Sequence, residues 1–99
     1  MPVKDFLDVV RDRKHLAALL ADLSLLGEEG PVLPFPLSSA IVSFPGLREL
    51  RTRHAGTQYR IVYTVIDGVV ILLHAFVKTA SSQTRREYTL AATRARGVK

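Results

Sequence analysis

Gln58-Tyr59-Arg60-Ile61-Val62-Tyr63-Thr64-Val65-Ile66, then Asp67-Gly68, then Val69-Val70-Ile71-Leu72-Leu73-His74-Ala75-Phe76-Val77-Lys78: this stretch decides the fold of the 99-residue chain. Two runs rich in β-branched and aromatic residues flank an Asp-Gly pair. That is the cue for a two-residue type I′ turn, whose two positive φ angles Asp and Gly tolerate. A tight turn fixes register, so Ile66 is expected to face Val69, Tyr63 to face Leu72, and Arg60 to face Ala75. Both runs are apolar on both faces, which predicts strands at 58–66 and 69–77, each interior to a sheet covered on both sides.

Upstream, Leu47-Arg48-Glu49-Leu50-Arg51-Thr52-Arg53 reads as another strand at about 47–53, with a turn at Ala55-Gly56-Thr57 leading into the hairpin. Arginines 48, 51, 53 and 60 sit on or beside this ribbon. The sheet is expected to hold cations in a fixed array.

Further out, residues 5–26 place Phe6, Val9, Val10, Leu16, Leu19, Leu20, Leu23 and Leu26 at helical spacing. Arg11-Asp12-Arg13-Lys14 interrupts that stripe, marking either a bend between two helices or the exposed face of one. Gly27 is expected to close the helix in the left-handed conformation. Pro31, Pro34, Pro36 and Pro45 make 28–45 a loop, with a short edge strand around Ala40–Phe44 and with Phe35, Leu37 and Phe44 pinned to the core. At the other end, Ser81-Ser82-Gln83-Thr84 is expected to end the last strand. Thr84 and Glu87 have the spacing of a capping box, so a helix from about 85 to 95 should follow, with Tyr88, Ala91, Ala92 and Ala95 on one side. Helices, then antiparallel strands, then a short helix make an α+β domain with a three- to four-stranded sheet.

The totals agree with one domain over residues 1–99. An apolar fraction of 47% is that of a globular chain. No apolar run reaches the roughly 18 residues of a membrane span. Acid in Met1-Pro2-Val3-Lys4-Asp5-Phe6, with no small-residue cleavage site, argues against a secretory signal, so a cytoplasmic location is the expectation. Without cysteine there is neither a disulfide framework nor a thiolate metal site. The net charge of +5 is uneven: residues 1–46 carry four Lys/Arg against six Asp/Glu, whereas residues 47–99 carry ten against three. A basic half built on the strands and the C-terminal segment is the footprint of a polyanion partner, or else a device for solubility.

Several chemistries close quickly. His15, His54 and His74 lack metal-ligand spacing, and Gly46, Gly56 and Gly68 are isolated turn glycines rather than a phosphate-cradling loop. There is no serine-triad signature, and the basic half holds only Glu49, Asp67 and Glu87 as carboxylates. Neither a metal nor another cofactor is called for. The remaining Arg, Lys, Tyr and His suit metal-free cleavage of RNA, which carries its own nucleophile in the 2′-hydroxyl. Such an enzyme removes that proton, neutralises the phosphorane and protonates the leaving 5′-oxygen. Arginine suits the second task, because its planar fork matches phosphate oxygens and keeps its charge.

The four segments Leu-Arg-Glu-Leu-Arg-Thr-Arg, Gln-Tyr-Arg-Ile-Val-Tyr, Ile-Leu-Leu-His-Ala-Phe-Val-Lys and Thr-Arg-Arg-Glu-Tyr together resemble the phage-derived, HigB-type branch of the RelE/ParE toxin superfamily. The match covers about 47–95 with spacing preserved. It implies a compact RelE-like α+β toxin, paired with a helix-turn-helix antitoxin, that cuts mRNA on the ribosome and reaches operator DNA only through the antitoxin. No membrane partner is expected, since no apolar run is long enough to cross a bilayer. By the same resemblance, Arg51 and Arg53 stand where the family grips substrate, with Arg48 beside them, and Arg60 matches the arginine that stabilises the transition-state phosphate. Lys78 and the Arg85/Arg86 pair match basic residues after the last strand, and Tyr88 loosely matches a tyrosine of RelE itself. Arg48 replaces the family's usual Trp, Ala75 its Gly and Thr79 its second Lys, and residues 1–5 are short for the first edge strand of many relatives.

Arg60 and Lys78 are therefore the catalytic candidates, Arg48, Arg51, Arg53, Arg85 and Arg86 the phosphate contacts, and His54 and Tyr88 candidates for acid and base. Each has a plainer reading as well. Arg60 would be an ordinary strand arginine, Arg51 and Arg53 a solvated face, Lys78 an edge charge that blocks aggregation, and Tyr88 a ring packed on the sheet. His74 reads as a hydrogen-bonded core histidine and His54 as an exposed one beside a turn. Strict alternation sends Arg60 and Lys78 to opposite faces, so one shared site needs a bulge or a strand end to re-aim Lys78. Two non-enzymatic readings remain open: a ParE-like inhibitor of a protein such as gyrase, and a silent relative that binds only its antitoxin. ParE-type proteins lack the basic catalytic set, so Arg60 and Lys78 favour RNA.

Overall fold

A computed structural model describes residues 2–30, 33, 37–79 and 81–98, with the side chains of 81 and 82 excepted. The elements run α1 (Pro2–Asp8), α2 (Arg13–Glu29), β1 (Ser38–Ala40), β2 (Arg48–His54), β3 (Thr57–Ile66), β4 (Val69–Val77) and α3 (Ser81–Gly97). The four strands form one antiparallel sheet in the order β1-β2-β3-β4. The α+β architecture expected from the sequence is the one observed.

At the N-terminus, the Arg11–Lys14 run marks a break between two helices. Asp12 caps α2, its carboxylate accepting from the amides of Lys14 at 2.9 Å and His15 at 3.2 Å. Gly27 does not close this helix. It lies inside α2, which continues to Gly30, where a φ of +59° lets the amide turn back to the Leu26 carbonyl. The short edge strand forms at Ser38–Ala40, two residues earlier than expected, and Leu37 and Phe44 pack against the core on either side of it. Phe35, Pro31, Pro34 and Pro36 lie outside the described residues.

Both turns have two residues at positive φ, Ala55-Gly56 and Asp67-Gly68, as type I′ geometry requires. From the second, Ile66 pairs with Val69 and Tyr63 with Leu72, as expected. Arg60, however, pairs with Phe76 and not with Ala75. The ladder slips between Tyr63↔Leu72 and Val62↔His74, which leaves Leu73 as an extra residue on β4. This is a β-bulge. A second correction concerns β4, which is the sheet's edge and not an interior strand. Its faces are covered by α1 and α3, and that coverage is why its sequence is apolar throughout.

The core lies on both faces of the sheet. On one, Val3 of α1 and Leu19 and Leu26 of α2 pack on Leu50, Ile61 and Tyr63, all essentially inaccessible. On the other, Ala91 and Ala95 of α3 pack on Val62, Leu73 and Phe76. Each fully buried aliphatic side chain contributes about 1.5–3 kcal/mol. Thr52 Oγ1 donates to Asp22 Oδ2 at 2.7 Å and ties α2 to β2.

The helix expected at 85–95 runs from Ser81 to Gly97, as long as α2. Thr84 is therefore inside its first turn, and the capping box does not form. The Glu87 carboxylate instead accepts from His74 Nε2 across on β4. Tyr88, Ala91, Ala92 and Ala95 do share the sheet-facing side.

One buried polar group gives a direct test of the first core. The Tyr63 hydroxyl is hydrogen-bonded to Ser38 Oγ and accepts from Arg48 Nε at 3.3 Å. Tyr63→Phe is expected to cost about 1 kcal/mol, which for a chain of this size lowers Tm by about 4–8 °C. An unchanged thermal midpoint would show that this hydroxyl contributes nothing.

Candidate functional site

Alternation along β2 sends Arg48, Leu50, Thr52 and His54 to the α2 face, leaving Glu49, Arg51 and Arg53 on the face beneath α3. On β3, Arg60 stands directly opposite Arg51, and Gln58 opposite Arg53. The bulge then acts on β4. Once Leu73 has been inserted, Phe76 sits beside Arg60, and the Lys78 amide donates to the Gln58 carbonyl at 2.8 Å. Lys78 thus comes out on the face of Arg60, where strict alternation from the turn would have sent it to the other.

Two guanidinium groups side by side in a strand pair repel. Here a carboxylate holds them. Glu49 Oε1 accepts from Arg60 Nη1 at 2.6 Å and from Arg51 Nε at 2.9 Å, and Arg51 Nη2 lies 2.9 Å from it as an ion pair. The other oxygen, Oε2, accepts from the Tyr88 hydroxyl, which descends from α3. Arg60 Nη1 also donates to Tyr88 Oη at 3.1 Å. Glu49 is 2% exposed and Arg60 7%, so this is a buried brace beneath an open surface. Burial pushes the Glu49 carboxyl up, but bonds from Tyr88, Arg60 and Arg51 outweigh it and hold the group below its usual 4.5. Burial, with Glu49 adding to it, pushes the Tyr88 hydroxyl up to about 12. At neutral pH the brace is an ionised carboxylate with a protonated phenol.

Above the brace lies a cleft of about 430 Å³ between the β1–β2 loop and the first turns of α3. Glu49, Arg51, Arg60, Lys78, Arg85 and Tyr88 line it, together with Ile41, Val42 and Phe44 of the loop. Four cations against one carboxylate leave the cleft strongly positive. Its chemistry is that of an anion seat with forked donors fixed in place.

The family model described as phage derived protein Gp49-like (DUF891) matches residues 5–96, nearly the whole chain. The chain belongs to this family. Gp49-like proteins are RelE/toxin-like. No curated protein and no solved structure matches the chain.

In this Gp49-like chain the structure gathers Arg51, Arg60, Lys78, Arg85 and Tyr88 at one cleft and leaves other candidates elsewhere. Arg53 is exposed in an adjoining depression that also borders Arg51, Gln58 and Arg60. Arg86 is exposed on α3 and lines neither. Arg48 lies on the α2 face, where its guanidinium donates to Ser38 Oγ at 3.2 Å and to Tyr63. His54, expected to be exposed, is half-buried with its ring 4.9 Å from that of His15, again on the α2 face. His74 is partly buried and bonded to Glu87, and its Nδ1 lies 2.6 Å from Arg94 Nη1. Among the described residues, no histidine lines the cleft and no His, Asp and Glu group could hold a metal ion.

Glu49 is the residue of this cleft that sequence reading passed over. One signal for it was there. Glu49 and Arg51 are two apart on a strand, so they share a face, and Arg60 falls opposite Arg51. Tyr88, 39 residues away, has no such local signal.

Proposed function

We propose that this chain is the toxin of a type II toxin–antitoxin pair of the HigB kind, a metal-independent endoribonuclease that cuts mRNA on the ribosome. The observation that carries the reading is the convergence of Arg51, Arg60, Lys78 and Arg85 on one cleft around the Glu49–Tyr88 brace. In this reading the scissile phosphate enters from above and lies on Arg60, with Arg51 and Lys78 on neighbouring oxygens. The substrate's 2′-hydroxyl attacks phosphorus and the P–O5′ bond breaks, leaving a 2′,3′-cyclic phosphate and a 5′-hydroxyl. Water in the open cleft takes the proton from the first oxygen and supplies one to the second, while the guanidinium neutralises the phosphorane. Glu49 holds Arg51 and Arg60 in position, and the Tyr88 hydroxyl, whose proton it accepts, holds Glu49. With its pKa lowered it is a weak base, so the rate derives chiefly from positioning and charge neutralisation. The partner is a helix-turn-helix antitoxin, through which alone the complex reaches operator DNA, and the site of action is cytoplasmic. No helix among the described residues is long and apolar enough to cross a membrane.

Induced expression should stop translation, with transcripts cut inside translated regions. Purified protein that leaves the message whole on programmed ribosomes would end the enzymatic reading. A single-residue test needs no catalysis. Lys78→Ala should reduce the slope of log K against log salt for single-stranded RNA by about 0.7, the amount due to one phosphate contact. An unchanged slope would remove Lys78 from the interface.

One feature favours a second reading, in which the chain is non-enzymatic. Glu49 already sits on Arg51 and Arg60, and no histidine lines the cleft. A relative silent in catalysis would bind only its antitoxin, and a ParE-like inhibitor would act on a protein such as gyrase. Intact transcripts alongside double-strand DNA breaks would favour the latter.

A further inference from the structure

The cleft combines two chemistries. Its floor is cationic, with Arg51, Arg60 and Lys78, yet the loop that flanks it is apolar. Val42 is 96% exposed, the most exposed large apolar side chain among the described residues. Phe44, two residues on, is half-buried, with its ring edge-on to Tyr88 at a centroid distance of 5.8 Å and an interplanar angle of 64°. A phosphate alone would need only the floor. A single exposed valine is ordinary on a surface, but here it borders the same 430 Å³ cleft as four cations and two aromatic rings.

We propose that this loop is a nucleobase subsite: a nucleotide's phosphate lies on Arg51 and Arg60 while its base lies against Val42 and Phe44. The inference rests on the phosphate-binding reading of the cleft and adds to it where the base goes. Single strands are held by a positive groove that tracks the backbone and an aromatic or apolar platform that takes the uncharged base face. The volume falls in the range of small-ligand clefts and has room for about one nucleotide. A phosphorylated serine or threonine side chain shares the anion but has no flat ring to cover the loop.

The test titrates the intact protein, followed by amide chemical shifts, with inorganic phosphate, phosphoserine and adenosine 3′-monophosphate. The nucleotide is expected to bind about ten-fold or more tightly than the other two. Val42→Ser and Phe44→Leu should each reduce that difference, and together remove most of it, while phosphate affinity stays as in the wild type. Val42 is too exposed for its replacement to disturb the fold, so that variant stands even if Phe44→Leu is destabilised. Equal affinity for all three probes, phosphoserine matching the nucleotide, or a difference that survives both substitutions would overturn the subsite. Absence of binding by any of the three would overturn the phosphate seat as well.

Discussion

Arg60→Ala is expected to slow mRNA cleavage on programmed ribosomes by about 10²–10³-fold, the loss typical of removing one preorganised donor from a developing anion. The expectation follows from position. Arg60 projects from the central strand β3 and is 7% exposed, and its guanidinium is fixed by Glu49 and Tyr88 before substrate arrives. Little reorganisation is then left for the reaction itself. Arg60→Lys keeps the charge but loses the fork, so it should recover only part of the rate. Antitoxin binding and the circular-dichroism spectrum should be retained in both variants, because Glu49 keeps Arg51 and Tyr88 as partners. Toxicity on induction should fall with the cleavage rate. Full toxicity in Arg60→Ala would remove the main catalytic assignment.

The second large effect is on stability. Glu49→Ala leaves the buried Arg60 without its counter-charge, and such a loss costs about 3–5 kcal/mol when the site is sealed. The cleft above the brace opens to water, so a value of about 2–3 kcal/mol is expected here. It would be read as a lower urea midpoint with an unchanged slope. The pH dependence separates this from simple loss of packing. Glu49 is more acidic when folded than when unfolded, so its contribution is complete above its unfolded pKa near 4.5 and is lost as pH falls through the lower folded value. Wild-type stability should therefore converge on that of Glu49→Ala as the medium is acidified below about pH 4.5. Curves that stay parallel through that window would mean that the carboxylate contributes by volume and not by charge. The same substitution removes the counter-charge that Arg51 and Arg60 share and lets them move apart. Cleavage should fall with it, which distinguishes a brace from an inhibitory plug, since removal of a plug would raise the rate.

The two experiments together separate holding the fold from holding the phosphate. Arg60→Ala removes a donor that reaches the cleft, whereas Glu49→Ala removes the group that keeps the donors in register. Tyr88 belongs to both. Its hydroxyl bonds Glu49 and Arg60, and its ring packs edge-on to Phe44 and Phe76. A helix resting on the sheet thereby becomes one side of the cleft.

By itself the sequence determined the parts whose cause is local. Asp67-Gly68 set a type I′ turn, and with it Ile66↔Val69 and Tyr63↔Leu72, because two positive φ angles fix the first pairs of any hairpin. Leucines at helical spacing placed α2, and the order of helices, antiparallel strands and a last helix set the class of fold. The sequence also set Glu49, Arg51 and Arg53 two apart on one strand. Only the tertiary structure decided which cations meet. The extra residue at Leu73 breaks the two-residue period, so Leu73 and His74 both face α3, the first packed in its core and the second bonded to Glu87 and Arg94. That packing, made by a helix distant along the chain, carries Arg60 past Ala75 to Phe76 and brings Lys78 round to its face. Register beyond a bulge is set by what the bulged residues pack against, and the turn that started the hairpin carries no information about it.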